Sequence, residues 1–348
     1  ALELQRLGAR VTFVEPANLK TTVHRLHTPP DAPEGLRVLG MPPSVPRLVD
    51  RLPVLPDALD LAQSLYLRKA LLDVPPPVAI VSTPRWAPVL RGLRFSAVFY
   101  DCLDDLAVHA EPERQALFEA WERELLARAD GSFAVSPALV DVLKARGGRN
   151  VLLSRNGVAF EAFRAGAAPA DLKTDRKRIG YLGALYEWVD FGLLADVARR
   201  LPRHEFYLVG PVRRGLDVSD LERLPNVRLT GHRAYPLVPR AMASFDVALI
   251  PFKEGDIARA ADPIKIYEYF CFGLPVVSTD VGDLQSLGSL LHVASGPEAF
   301  AAAIRKALEE KSPKLREQRV KYARANDWSQ RARGVAEAIL ATTGETHG

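Results

Sequence analysis

Residues 262–278 read DPIKIYEYFCFGLPVVS, a helical pattern that runs straight into an apolar strand pattern. Asp262 is a good N-cap residue type, and Pro263 fits the first turn of a helix. Ile266, Tyr269 and Phe270 fall on one face and are expected in the core. Gly273 stops the helix and Pro275 prevents its continuation. Lys265 and Glu268, three positions apart, share a second face. A helix N-terminus carries positive potential that suits a diphosphate, and Lys265 adds a point charge to it. Glu268 can accept both hydrogen bonds of a ribose diol. The alternative reading of the same spacing is a surface Lys–Glu pair on an amphipathic helix.

The same rhythm repeats outward from this stretch. Strand patterns are expected at 178–183, 205–210, 227–231, 246–252, 275–279 and 290–294, with helical patterns between them and a long helical stretch over 297–340. Upstream, strand patterns fall at 10–14, near 37–41, and at 77–83, 96–102, 131–136 and 150–158. The helical pattern at 112–130 carries the apolar stripe Leu117, Trp121, Leu125. Apolar strands alternating with amphipathic helices predict parallel sheets covered on both faces. The fold class is therefore α/β, with two doubly wound Rossmann-like domains facing across a cleft, where ligands collect at the carboxyl ends of parallel strands.

The expected division is an N-terminal domain over 1–160, a linker over the Ala-rich and charged residues 161–177, a C-terminal domain over 178–322, and a helix over 323–348. Residues 1–8 read as the end of a helix, so the first strand of the N-terminal domain is expected upstream of the sequence as given.

A chain of 348 residues is long for a single core, and 48% hydrophobic with 25% charged residues is the balance of a globular protein. The net charge of +4 is mildly basic and fits an anionic ligand or an anionic membrane surface. No zinc-finger spacing, RNP-like motif or long basic run is present, which argues against nucleic acid as a partner. The two cysteines, Cys102 and Cys271, lie in apolar runs and read as buried free thiols rather than metal or redox groups. His24, His27 and His232 have no ligand spacing.

The stretch 262–279 resembles the donor-binding signature of GT-B glycosyltransferases of the family 4 kind. The turn at Asn156-Gly157-Val158, the strand and glycine loop RIGYLGALYEW at 178–188, the segment NVRLTGHRAYPLVPRAMASFDVALIPF at 226–252 and ANDWSQRA at 325–332 resemble the same family in order and spacing. VFYDCLDDLAVH at 98–109 is similar to a subgroup linked to bacterial cell-surface polysaccharide assembly, such as teichuronic acid transferases. The resemblance implies transfer of a sugar from a UDP- or GDP-sugar to the hydroxyl of a sugar or lipid-linked acceptor, with no cofactor and no metal. It implies retention of anomeric configuration by a front-face route. It makes the N-terminal domain acceptor-binding and the C-terminal domain donor-binding, and it makes 323–348 a helix crossing back to the first domain. Lys265 would stabilise the leaving diphosphate, Glu268 would bind ribose, and Gly183 would let backbone approach the phosphates, with Ile264 at the start of the donor helix. The segment after Gly231 would neighbour the base.

One departure is visible. Family members carry a second Glu eight residues before the ribose Glu, and that position here is Ala260. Glu254 looks like a displaced version in a remodelled sugar-side loop. Arg259 is then expected to meet phosphate or an acidic sugar, and Asp256 to meet sugar hydroxyls, against the alternative of a polar lid. On the acceptor side, Asp101, Asp104, Asp105 and His109 follow a strand end, where Asp101, Asp104 and His109 are the expected catalytic residues. A helix-capping role is the alternative for Asp104 or Asp105. Trp86 is either an acceptor-stacking residue or a core anchor. Residues 46–72 mix basic and apolar side chains, as a helix resting on an anionic bilayer would, or as one packed on its own domain. The expected location is the cytoplasm, at the inner face of the cytoplasmic membrane. The rival functions are a sugar-nucleotide 2-epimerase of the same fold and a non-catalytic two-domain nucleotide- or sugar-binding protein.

Overall fold

The structure is a computed structural model that describes residues 1–15, 36–41, 55–108, 110, 112–166, 176–234 and 237–344. The chain divides into two α/β units. Unit 1 comprises Ala1–Ala134, Val140–Ser154 and Ala332–Gly348, and unit 2 comprises Val135–Leu139 and Arg155–Arg331.

In unit 1, strands β1 (Thr12–Glu15) and β2 (Arg37–Gly40) pair in parallel as a two-stranded sheet. Strands β3 (Val78–Val81), β4 (Ala97–Cys102), β5 (Gly131–Ala134) and β6 (Val151–Leu153) form a separate parallel sheet in that order. Ala97, Phe99 and Phe133 form a buried cluster, with the two rings stacked at 5.4 Å, and Val335, Ala338 and Ile339 pack against it. The helix Pro112–Arg128 buries only part of the expected stripe, with Leu125 buried and Trp121 half-buried. Leu117 is exposed, and Glu122 is buried beside Leu125 and Leu126. The reason is a polar network. Glu122 accepts from the Tyr100 hydroxyl at 2.8 Å and pairs with Arg146, whose other nitrogen meets Asp105 at 2.8 Å.

Unit 2 holds one six-stranded parallel sheet ordered β12-β11-β10-β7-β8-β9. The strands are β7 (Arg178–Leu182), β8 (Glu205–Val209), β9 (Val227–Leu229), β10 (Val247–Ile250), β11 (Val276–Ser278) and β12 (His292–Val293). Its winding reverses between β7 and β10. Both are buried along their whole length, as central strands covered on two faces must be.

Two boundaries differ from those expected. The helix Phe160–Ala165 occupies the start of the expected linker, and Phe160 and Phe163 are buried in the core of unit 2, which pins this segment to it. Residues 167–175 lie outside the described residues. The long helical stretch is three helices: Pro297–Glu309, Pro313–Ala325 and Trp328–Thr343. The last break falls at Asn326–Asp327. There the Asp327 carboxylate accepts from the Ser329 and Phe160 amides, each at 2.8 Å, so it competes with the helix for backbone donors. Both cysteines are free and buried, and burial pushes each thiol up to about 12, which leaves them unreactive.

Candidate active site

The helix Ile264–Cys271 follows β10 and lies at the winding reversal of unit 2. Ile266, Tyr267, Glu268, Tyr269, Phe270 and Cys271 are all buried. Tyr269 ties the helix to the two central strands: its hydroxyl accepts from the Leu182 amide at 2.9 Å and donates to the Leu249 carbonyl at 3.2 Å. Asp262 is not the cap that its position predicts. The N-cap is Pro263, and no side chain caps the helix. The buried Asp262 carboxylate instead accepts from the Asn156 amide at 2.6 Å and from the Tyr267 hydroxyl at 2.9 Å. Asn156 returns a bond from its side-chain amide to the Asp262 carbonyl at 2.7 Å. The helix entry is thus held by a long-range partner, and its N-terminus is left without a side-chain acceptor.

Lys265 rises from the first turn of that helix beneath the loop after β7. A β-carbon built on Gly183 would stand 2.8 Å from its Nζ, and the nitrogen lies 5.5 Å from the ring centroids of both Tyr181 and Phe252. Burial lowers the pKa of this ammonium, and the Glu268 carboxylate one turn on works against the shift. Gly183 has φ +131, a conformation that L side chains rarely adopt. Gly210, which follows β8, has φ +148, and a β-carbon there would lie 2.1 Å from the Gly183 carbonyl oxygen. The two glycine loops therefore run in backbone contact. The Gly183 amide donates to the Val209 carbonyl at 2.8 Å and the Gly210 amide to the Gly231 carbonyl at 3.0 Å. The glycine turns that end β7 and β8 thus touch each other, and the first of them abuts the half-buried Lys265 side chain.

Of the residues expected to bind a donor, the structure brings together Gly183, Lys265 and Glu268. Ile264 begins the helix and is exposed. Glu254 is exposed on the loop after β10. Arg259 is ion-paired to Asp256, three residues earlier, with both side chains well exposed. That pairing uses the two polar groups expected to meet the sugar on each other. An aromatic group that sequence reasoning passed over stands on the same loop as Gly183. Tyr186 stacks on Trp188 at 4.6 Å, and Arg213, on the loop after β8, lies over the Tyr186 ring and pairs with Glu187. The signal was present as two aromatics flanking Glu187, just past the glycine.

In unit 1, Asp101 lies on β4 opposite Phe133, and burial pushes its carboxyl up to about 6. Asp104 is exposed on the turn that follows, where its carbonyl accepts a weak bond from the Cys102 thiol. Asp105 is buried, pairs with Arg146 and accepts from the Ala107 amide at 3.2 Å. It is therefore part of the scaffold beneath that turn. His109, His24 and His27 lie outside the described residues, and His232 is exposed. Trp86 is half-buried at the end of a short 3-10 turn.

Residues 176–310, which carry this glycine-loop and lysine arrangement, match the family model described as Glycosyl transferases group 1. They form a group 1 glycosyltransferase domain. The chain is 29% identical over 264 residues to TuaH of Bacillus subtilis (strain 168), a candidate teichuronic acid biosynthesis glycosyltransferase. That match covers 70% of this chain and 66% of the relative, so it spans just under two thirds of the relative's length. Among solved structures, the fold is similar to sucrose-phosphate synthase from Thermosynechococcus elongatus, with a TM-score of 0.72 at 15% identity, covering 99% of this chain and 92% of that one. It is also similar to Anabaena HepE in complex with UDP and glucose, with a TM-score of 0.71 at 18% identity, covering 98% and 95%. At such identities the likeness is one of fold, and the GT-B fold implied by the sequence is the one the group 1 glycosyltransferase domain and these structures share.

Proposed function

We propose that the chain transfers a sugar from a nucleotide diphosphate sugar to an acceptor hydroxyl, with unit 2 holding the donor. The observation that carries this reading is the half-buried Lys265 ammonium beside the Gly183 loop at the winding reversal of the sheet. A cation that is costly to bury is explained by an anion it meets on binding. The lysine outweighs the helix dipole as the source of that attraction. At an effective dielectric of about 20, two unit charges 4 Å apart interact by about 4 kcal/mol, whereas a helix terminus contributes up to about 2 kcal/mol.

In this reading the C1–O bond of the donor breaks and its electron pair moves onto the diphosphate, where Lys265 and the uncapped helix start stabilise the new charge. The acceptor oxygen bonds to C1 from the same face. Its proton passes to the departing phosphate, so configuration is retained and no metal is needed. Glu268 binds the ribose diol, and the glycine turns after β7 and β8 allow backbone to approach the phosphates. Uracil is the proposed base, supported by UDP in the HepE complex. On the acceptor side, Asp101 and Asp104 orient the attacking hydroxyl. The pathway proposed is bacterial polysaccharide or glycolipid assembly at the cytoplasmic side of the membrane, supported by the likeness to TuaH.

The test is calorimetric titration of the full chain with UDP, GDP, ADP and dTDP in chelator-treated buffer. UDP binding that is weakened at least ten-fold in Lys265→Met is the expected result. If no nucleotide binds, or if Lys265→Met binds as the wild type does, the donor reading fails.

A further inference from the structure

The helix Leu55–Ala70 of unit 1 is turned inside out. Its inward face is Asp60, Gln63, Ser64 and Leu67, of which three are polar and all are buried. Asp60 pairs with Arg85 at 3.0 Å, and the Ser64 hydroxyl donates to the Arg91 carbonyl at 3.2 Å, so polar contacts seat the helix on the segment that follows β3. The outward face is apolar. Leu61 is 60% exposed, Leu65 55% and Leu72, just past the helix end, 70%, with Tyr66 beside them at 38%. Leu61 and Leu65 are four residues apart and line one stripe, and Leu72 is exposed in the turn just past the helix end. Arg68 lies within that stripe and Lys69 on its flank, both exposed. Asp73, also exposed, follows the stripe.

A soluble helix normally shows the reverse arrangement, and scattered exposed leucines need no explanation whereas a continuous stripe does. We propose that this face docks on the surface of an anionic lipid bilayer, with Leu61, Leu65 and Leu72 in the headgroup–acyl boundary and Arg68 and Lys69 against lipid phosphates. Two features favour this occupant over a second copy of the chain. Three leucines and a tyrosine offer on the order of a few hundred Å² of apolar area, below the ~800 Å² per partner of a stable protein interface. The stripe is also accompanied by cations, the pattern of interfacial helices on anionic lipid. No helix among the described residues is long and apolar enough to cross a membrane, so contact through this face is peripheral. The inference stands apart from the donor reading, because vesicle binding requires neither nucleotide nor turnover.

The test is co-sedimentation of the full chain with vesicles of phosphatidylglycerol and phosphatidylcholine, against vesicles of phosphatidylcholine alone. The wild type is expected to bind the mixed vesicles at least five-fold better than the neutral ones. Leu61→Gln with Leu65→Gln is expected to lower that binding at least ten-fold, and Arg68→Glu with Lys69→Glu to remove the preference for anionic lipid. All three proteins should keep the same far-UV circular dichroism, since every substituted side chain is exposed. Failure of the wild type to sediment with either vesicle overturns the proposal, as does unchanged binding by the double glutamine variant. A concentration-dependent dimer that the glutamine variant abolishes would assign the face to a second copy and overturn it equally.

Discussion

A β-carbon at Gly183 would lie 2.5 Å from Cε of Lys265, so the glycine and the lysine share one space that neither side chain leaves spare. Gly183→Ala must therefore push the lysine stem aside while holding alanine at φ +131. We expect a loss of stability of about 1–3 kcal/mol from the backbone alone. We also expect a drop in UDP affinity of ten-fold or more, because the ammonium is displaced. Thermal melting and calorimetry on the same preparation check both. An alanine variant with normal UDP affinity would show that the contact is packing without consequence for binding.

Lys265→Met separates stability from binding. Burial lowers the pKa of Lys265 despite the nearby Glu268, so the folded protein disfavours the charged form even with that carboxylate in place. A neutral side chain of similar length should leave the melting temperature unchanged or raised at pH 7. The same change should weaken UDP binding ten- to hundred-fold. A variant that unfolds at lower temperature would mean that the lysine is a structural ion and not a poised ligand group.

Asp101 makes stability depend on pH in a direction opposite to that of most carboxylates. Its carboxyl is raised from 3.8 to about 6, so the folded state holds a proton that the unfolded state has released. Stability therefore falls as pH rises from about 4 to about 6 and stays lowered above it, by up to about 3 kcal/mol. Asp101→Asn should remove that slope, with no gain at pH 4 and the largest gain at pH 7 and above. Denaturant titrations at pH 4, 5.5 and 7.5 decide it. Parallel curves for the two proteins at all three values would contradict the buried-acid account.

Asp262→Ala should destabilise unit 2 by about 2–4 kcal/mol. It leaves the Asn156 amide and the Tyr267 hydroxyl without the acceptor they share. Asp262→Asn keeps one acceptor oxygen and should cost less. Because this carboxylate fixes the entry to the Lys265 helix, the residual folded fraction of Asp262→Ala should also bind UDP more weakly. Equal stability of the alanine and asparagine variants would remove the argument.

The strands were legible because each is an apolar run of the right length bounded by glycine, proline or polar residues. β7, expected at 178–183, spans Arg178–Leu182, and β11, expected at 275–279, spans Val276–Ser278. Lys265 and Gly183 are each expected at the diphosphate through the family resemblance, whereas their contact with each other is seen only in the structure. What periodicity hides is the partner of a buried polar group. The burial of Glu122 leaves no mark in the helical pattern, because its partners, Tyr100 and Arg146, are 22 and 24 residues away. Asp262 has the residue type and position of a helix cap, but its carboxylate accepts instead from the Asn156 amide, 106 residues upstream. For the helix Leu55–Ala70 the sequence leaves the buried face open for the same reason: that face is polar, and its apolar side chains mark the outside. Arg259 and Asp256 are expected as ligand groups or as a polar lid, and their pairing with each other across the short helix Asp256–Ala260 is not visible in the sequence.

The Tyr269 phenol gives unit 2 a built-in clock. The amide proton of Leu182 is held by a side chain from the helix Ile264–Cys271, and that oxygen is anchored in turn on the Leu249 carbonyl. For this proton to exchange with solvent deuterium, the helix must lift from the two central strands or the domain must unfold. Its exchange rate therefore times the detachment of the helix that carries Lys265. Occupancy of that helix by a ligand should slow the Leu182 proton more than its neighbours on β7, and Tyr269→Phe should set it running early.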